Sequence, residues 1–210
     1  MKIFLSKRLA LAVCAAALTA SALTACVPLL VGGAVGGGAL VATDRRTPGI
    51  QLEDEGIELR AWARLRGEIG ERNHVNLTSY NRQVLLTGEV SSEKDKQQIE
   101  QTVARVENVA AVINELAVMG NSTLTQRSSD TLVTGRVKAM LIDAKDLQVN
   151  AFKVVTERGT TFLMGRVTQR EAERATDVVR GTPGVQKVVR IFEILTEQEL
   201  AGIQPQKPRP

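Results

Sequence analysis

Apolar positions along the chain fall into two runs with the same order of elements. In the first, Ile57, Ala61, Leu65 and Ile69 recur every four residues and line one face of a predicted helix. Val75 and Leu77, then Val84, Leu86 and Val90, alternate as strand residues do. A second helix follows with Ile99, Val103 and Val106 inward, and a last strand carries Val112, Leu116 and Val118. The second run predicts a helix from about Asp130 to Ile142, strands at Phe152 to Thr156 and Thr161 to Val167, a helix to about Arg180 and a strand to Leu195.

The two runs are an internal repeat. Val84-Leu-Leu-Thr-Gly88-Glu-Val90 recurs as Thr161-Phe-Leu-Met-Gly165-Arg-Val167, 77 positions later. Upstream, Asp54, Ile57, Arg60, Ala61 and Leu65 map onto Asp130, Val133, Arg136, Val137 and Leu141 at an offset of 76. Downstream, Val109, Val112, Ile113 and Leu116 map onto Val185, Val188, Val189 and Phe192 at the same offset. Thr168-Gln-Arg-Glu171 has capping-box spacing, Pro183-Gly184 marks a turn, and Glu53-Asp54-Glu55 fits the negative charge favoured at a helix N-terminus. The expected fold is α+β: two tandem αββαβ units, each with two helices on one face of a small three-stranded mixed sheet. Units this small have thin cores, which favours packing of one on the other or a rigid link. The expected boundaries are 53–119 and 130–196, with a polar linker at 120–129 and a disordered tail at 197–210.

The N-terminal segment is different in kind. Lys2, Lys7 and Arg8 precede an apolar stretch, Leu9 to Ala22, that is too short for a membrane span of about 20 residues and reads as an export signal over residues 1–25. Leu23-Thr24-Ala25-Cys26 resembles a lipobox, which makes Cys26 the lipid-modified first residue of the mature chain. Cys14 leaves with the signal, so no intramolecular disulfide is expected. By resemblance to lipoprotein sorting signals, Val27 stands where inner-membrane retention would place Asp, so the outer membrane, facing the periplasm, is the expected location. Residues 26–52 contain Gly32, Gly33, Gly36, Gly37 and Gly38. A close-packed membrane helix and a flexible tether both use such glycines; a helical cost of about 1 kcal/mol per glycine favours the tether.

Charge narrows the partners. The whole chain has a formal charge of +4, but without the three basic residues of the signal 24 basic residues face 23 acidic ones. No nucleic-acid partner is expected at that balance. Residues 53–118 hold 8 basic and 12 acidic side chains, whereas 130–195 hold 11 and 8, so the second unit is the one an anionic surface attracts.

Both repeats resemble BON domains, a bacterial envelope module. The resemblance is carried by Val84 to Val90 and Thr161 to Val167, and by Val106-Glu-Asn-Val109 and Gly181-Thr-Pro-Gly184-Val185; Asn108 stands where the family usually has Gly. With a lipobox and a Gly-rich tether, the chain is similar to the double-BON outer-membrane lipoproteins associated with division and envelope stress. That resemblance implies a non-enzymatic protein that binds anionic phospholipid, such as phosphatidylglycerol or cardiolipin, through the first helix of its second BON copy. The matching positions are Leu132, Val133, Arg136, Lys138, Met140 and Ile142, with Leu132 where the family places an aromatic residue.

Other chemistry has little raw material. His74 is the only histidine, no thiol remains to pair with it, and it is expected at the surface or a domain contact. No catalytic residue, metal site, phosphate-binding loop or cofactor is expected. Trp62 and Tyr80 could form a contact pair, although Trp62 beside the apolar helical face fits core or interface packing better. Two functions are compatible with these residues: a lipid-binding envelope protein, or a scaffold for outer-membrane assembly or peptidoglycan machinery.

Overall fold

The computed structural model describes residues 44–67 and 73–203. The signal, Cys26, the glycine cluster, Ile69 and residues 204–210 lie outside them. The first unit runs α1 (Pro48–Leu65), β1 (His74–Tyr80), β2 (Gln83–Val90), α2 (Glu93–Ala104), β3 (Ala111–Asn114) and β4 (Ala117–Val118). The second runs α3 (Leu124–Asp143), β5 (Phe152–Glu157), β6 (Thr160–Thr168), α4 (Gln169–Arg180), β7 (Lys187–Leu195) and α5 (Glu197–Ile203), with one 3-10 turn, Val149–Ala151, before β5. In both sheets the middle strand pairs antiparallel with the preceding hairpin strand and parallel with the strand after the helix. This is the predicted α+β arrangement of two mixed sheets.

Four boundaries differ from expectation. Thr47 caps α1 by accepting a hydrogen bond from the Ile50 amide, and Pro48 is preset for the first helical turn, so the helix starts inside the expected tether. A reciprocal Thr123–Gln126 capping box starts α3 at Leu124, so six of the ten expected linker residues are helical. Seven residues of the expected disordered tail form α5, held by buried Leu200 and by a Thr196–Glu199 cap. The last strand of the first unit breaks after Asn114, whose side-chain oxygen accepts from the Leu116 amide; Leu116 is buried but Val118 is exposed.

The repeat has a physical basis. Both β-hairpins turn through two residues with positive φ, Asn81-Arg82 and Arg158-Gly159. Each turn is held by a buried carboxylate from the preceding helix: Asp54 accepts from the Asn81 and Arg82 amides, and Asp130 from the Arg158 and Gly159 amides. Asp54 therefore lies mid-helix as a hairpin clamp, and the helix-terminus role expected for it does not apply. Gly88 and Gly165 allow close strand approach, since a Cβ would lie 2.1 Å from the His74 carbonyl oxygen and 2.5 Å from that of Ala151. Asn108 and Gly184, equivalent in the repeat, both have positive φ, which asparagine tolerates better than most residues.

Helices cover one face of each sheet. Ile57, Ala61 and Leu65 pack with Val84, Leu86, Val90, Ile99 and Val103; Val133, Val137 and Leu141 pack with Leu163, Val167, Ala175 and Val179. The opposite faces meet each other. Tyr80 and Leu85 of the first sheet join Phe162 and Met164 of the second, with Ile113, Val155, Val189 and Ile191 around them. Polar contacts edge this interface: Asn76 donates to Glu157 at 2.8 Å, Asn81 to Glu193 at 2.6 Å, and the Tyr80 hydroxyl to the Ala151 carbonyl at 3.4 Å. Across the described residues the two units form one packed body.

Glycine substitutions should separate by sign in thermal melting of the unlipidated chain. Gly88→Ala and Gly165→Ala are each expected to destabilise by about 1–3 kcal/mol, because the new methyl meets backbone. Gly135→Ala, in open space on α3, should stabilise by about 1 kcal/mol.

Candidate functional site

Burial spacing on α3 sets what it can offer a partner. Asp130, Val133, Val137 and Leu141 face inward. Val133 is 4% exposed, beneath Gly184, so it belongs to the core and leaves the surface set expected from the sequence. Leu132 is 62% exposed, Met140 41% and Ile142 61%, and Arg136 and Lys138 are exposed with them. Leu132 and Ile142 are ten positions apart, which returns them to within about 80° of each other around the helix. The outward side is therefore apolar with basic flanks, interrupted by exposed Asp143 near its end. Arg136 reaches the Pro183 carbonyl only at 3.5 Å. Such a surface can enter a headgroup layer with its apolar side chains while lysine and arginine meet phosphate.

A strap that sequence reasoning missed ties the two units beside this helix. Arg45 is buried and forms two 2.7 Å hydrogen bonds with the Glu171 carboxylate, 126 residues away. It also donates to the Arg166 carbonyl at 2.8 Å, and Arg166 donates back to the Arg45 carbonyl at 3.2 Å. The next residue, Arg46, pairs with Asp44 and Asp54 in the first unit and lies 4.3 Å from the Tyr80 ring centre. The Thr168–Glu171 capping box is present as the spacing predicts. Its second use, as the acceptor for Arg45, depends on a contact no local spacing reports.

A second polar cluster lies at another edge of the interface. His74 Nδ1 is 3.1 Å from Glu89, which is fully buried and also takes hydrogen bonds from the Ser122 amide, the Ser122 hydroxyl and Arg158. Glu157 brings a third ligand atom, so the His74, Glu89 and Glu157 ligand atoms all lie within 4.8 Å of one another. Four donors already occupy the Glu89 oxygens, which suits an interdomain hydrogen-bond network better than a cation. His74 sits at the domain contact. Trp62 and Tyr80 are not a pair: Trp62 packs against the first helical core and Tyr80 belongs to the interface.

These carboxyls carry opposed shifts. Burial pushes the Glu171 carboxyl up, but Arg45 and the Thr168 amide outweigh it and hold it below its ordinary 4.5. For Glu89, burial is likewise outweighed, by Ser122, Arg158 and His74. Burial wins at Glu157 and raises it. Burial and the nearby Asp44 push the Tyr80 phenol up to about 12, so it stays a donor at neutral pH.

The sequence of these two units matches the BON domain model over residues 53–120 and 129–195. The chain belongs to the BON family. The outer membrane lipoprotein DolP of Haemophilus influenzae is 37% identical over 171 residues, covering 79% of this chain and 88% of that protein. A 21 kDa hemolysin of Actinobacillus pleuropneumoniae is 29% identical over 151 residues, 71% of this chain and 78% of its own length. With two BON domains and that identity, the chain is a DolP-like double-BON protein. A solved structure of CdsD, a structural protein of the type III secretion system of Chlamydia trachomatis, aligns over 72% of this chain and 98% of its own at 12% identity and a TM-score of 0.29, too low to bear on either fold or function. Within the second BON domain, α3 is the first helix, and its outward side holds Leu132, Arg136, Lys138, Met140 and Ile142.

The buried Arg45–Glu171 ion pair sets an acid limit. The depressed Glu171 and Glu89 carboxyls contribute stability above about pH 4.5 that is lost as pH falls through their lowered values, whereas the raised Glu157 opposes this loss. Glu171→Gln should therefore cost about 3–5 kcal/mol at pH 7 by leaving Arg45 buried without its partner charge. It should also flatten the fall in melting temperature as pH drops from 5 to below the ordinary carboxylate value of 4.5. Melting curves across that range check both expectations.

Proposed function

We propose that this chain is an outer-membrane lipoprotein facing the periplasm, anchored through acyl chains on Cys26, whose second BON domain binds anionic phospholipid. It is a non-enzymatic protein that supports outer-membrane integrity at the division site and under envelope stress. The observation that carries the proposal is the outward side of α3, where Leu132, Met140 and Ile142 are exposed beside Arg136 and Lys138. The identity to an outer membrane lipoprotein and the lipobox ending in Cys26 support the location. The acyl chains on Cys26 supply the stable anchor, and a basic, apolar helix adds a contact with the same leaflet that would be weak by itself.

A protein scaffold is the competing function, and exposed Leu52 and Leu59 on α1 favour it. They lie seven residues apart, so they share a side of the helix, in the more acidic BON domain. Partners would then be the outer-membrane assembly or peptidoglycan machinery.

Vesicle flotation of the mature chain carrying Cys26→Ser separates the two. Phosphatidylglycerol or cardiolipin vesicles should capture it and phosphatidylcholine vesicles should not. Leu132→Glu and Arg136→Glu should each reduce capture at least tenfold with an unchanged circular dichroism spectrum, while Gly56→Glu on α1 leaves it unchanged. Equal capture of the folded α3 variants would favour the scaffold. In cells, Cys26→Ala should abolish acyl labelling and leave a precursor, because the thioether to lipid needs that sulfur; labelling at the unsubstituted level would exclude Cys26 as the anchor.

A further inference from the structure

The two BON domains finish their sheets differently. In the first the last edge is cut into β3 and β4, because the Asn114 side chain donates to the Lys96 carbonyl and the Glu100 carboxylate of α2 and accepts from the Leu116 amide. A broken edge of this kind is a poor template for a further strand. At the repeat offset of 76, Asn114 corresponds to Arg190, and there β7 runs unbroken for nine residues from Lys187 to Leu195. It pairs with β6 along its whole length and is the last strand of its sheet. Val188 and Phe192 pack toward the helices and Val189 and Ile191 toward the interface, yet every residue from Lys187 to Ile194 stays partly or fully exposed. Among the described residues no backbone group pairs with its outer side. The strand is held by two cores and open along one edge, which is the arrangement that strand addition requires.

Charge narrows what can be added. Lys187 and Arg190 are exposed and, among the described residues, have neither a hydrogen bond nor an ion pair. Arg180, the last residue of α4, meets Asp177 only at 3.4 Å, and both are exposed. Arg180 and Lys187 line a hollow of about 310 Å³ at the start of β7, with Val185, Gln186 and Val188. The acid of the strand, Glu193, is spent within the molecule, accepting from Arg166 at 3.0 Å and from Asn81 at 2.6 Å. Toward the other end Ile194 is 49% exposed. The edge is therefore basic where it starts and apolar where it ends.

We infer that the β7 edge takes an extended segment from the C-terminus of another protein as a fourth, antiparallel strand of the second sheet. Antiparallel pairing is the commoner and slightly stronger mode, and it runs the incoming strand toward the start of β7. Its terminal carboxylate then arrives at Arg180 and Lys187, the two cations of the hollow. An acidic side chain opposite Arg190 and an apolar one opposite Ile194 complete the match; strand alternation puts both on the helix side, with Val188 and Phe192. A second copy of this chain fits less well, since its own β7 would bring the same positive charges to the seam. The edge lies on a different element from α3, so this inference stands apart from lipid binding.

Backbone hydrogen exchange tests this on the mature chain carrying Cys26→Ser. The probe is a nine-residue peptide that alternates valine with threonine and glutamate and ends in valine with a free carboxylate. It should slow exchange at the outward amides of β7, every second residue, and leave the other outer strands, β1 and β5, unchanged. Amidating the peptide C-terminus, Arg180→Glu and Lys187→Glu should each weaken binding about tenfold by fluorescence anisotropy. Both positions are exposed, so melting temperatures should stay the same. A probe with lysine in place of glutamate should bind Arg190→Glu better than the unsubstituted chain. Methylating the peptide amides that meet β7 should abolish binding, which a contact through side chains alone would survive. Unchanged β7 exchange at millimolar peptide overturns the inference, and equal affinity for free and amidated peptides overturns the C-terminal assignment. Protection of β7 without peptide that rises with protein concentration, with a dimer in sedimentation, makes a second copy the occupant and also overturns it.

Discussion

Burial of β2 and β6 on both faces is the constraint on which the molecule depends. Leu86 and Val84 point toward the helices of the first domain while Leu85 points into the sheet-to-sheet interface; in the second, Leu163 points toward helices and Phe162 and Met164 into the interface. A small sheet with helices on one side leaves its other side apolar here, and each sheet provides the cover for the other. Full burial of a side chain of this size contributes about 1.5–3 kcal/mol relative to exposure, so neither BON domain would keep its stability with that face in water.

An apolar interface alone is tolerant of sliding. Its geometry is pinned at the edges by directional contacts: the Arg45–Glu171 pair and the Arg45–Arg166 backbone exchange at one side, and the Glu89 network with His74, Ser122 and Arg158 at another. A buried ion pair adds little over an apolar pair of the same shape, but leaving one partner alone is costly, so the arrangement selects one orientation. Because Arg45 and Arg46 grip different domains, the chain arriving from the N-terminal side is fastened across the seam and not to one domain only.

This fastening matters for α3. The helix uses its inward side for the second core and for the Asp130 clamp on the β5–β6 turn, which leaves Leu132, Met140 and Ile142 outward on a rigid base. A surface that must sink apolar side chains into a headgroup layer gains from such a base, since little conformational freedom is lost on contact.

Much of the fold was legible in the chain because its determinants are local and appear twice. Periodicity placed the helices and strands, the Thr168–Glu171 spacing announced its cap, and the duplicated strand glycines marked positions where Gly88 and Gly165 meet neighbouring backbone. The charge difference between the domains and the exposed residues of α3 were also visible in outline. The repeat already sets Val133 in register with inward-facing Ile57 and Leu132 with Gly56, so counting Val133 in the lipid surface goes against that register, and its burial beneath Gly184 corrects it. Periodicity could not give Asp54 its place as a hairpin clamp, or find Glu89, Glu171 and Arg45 as interdomain partners, since those roles join residues from 25 to 126 positions apart. The sequence determined two like units and their elements through short-range spacing; only the tertiary structure decided how their open faces meet, because that choice rests on contacts between residues that no local pattern connects.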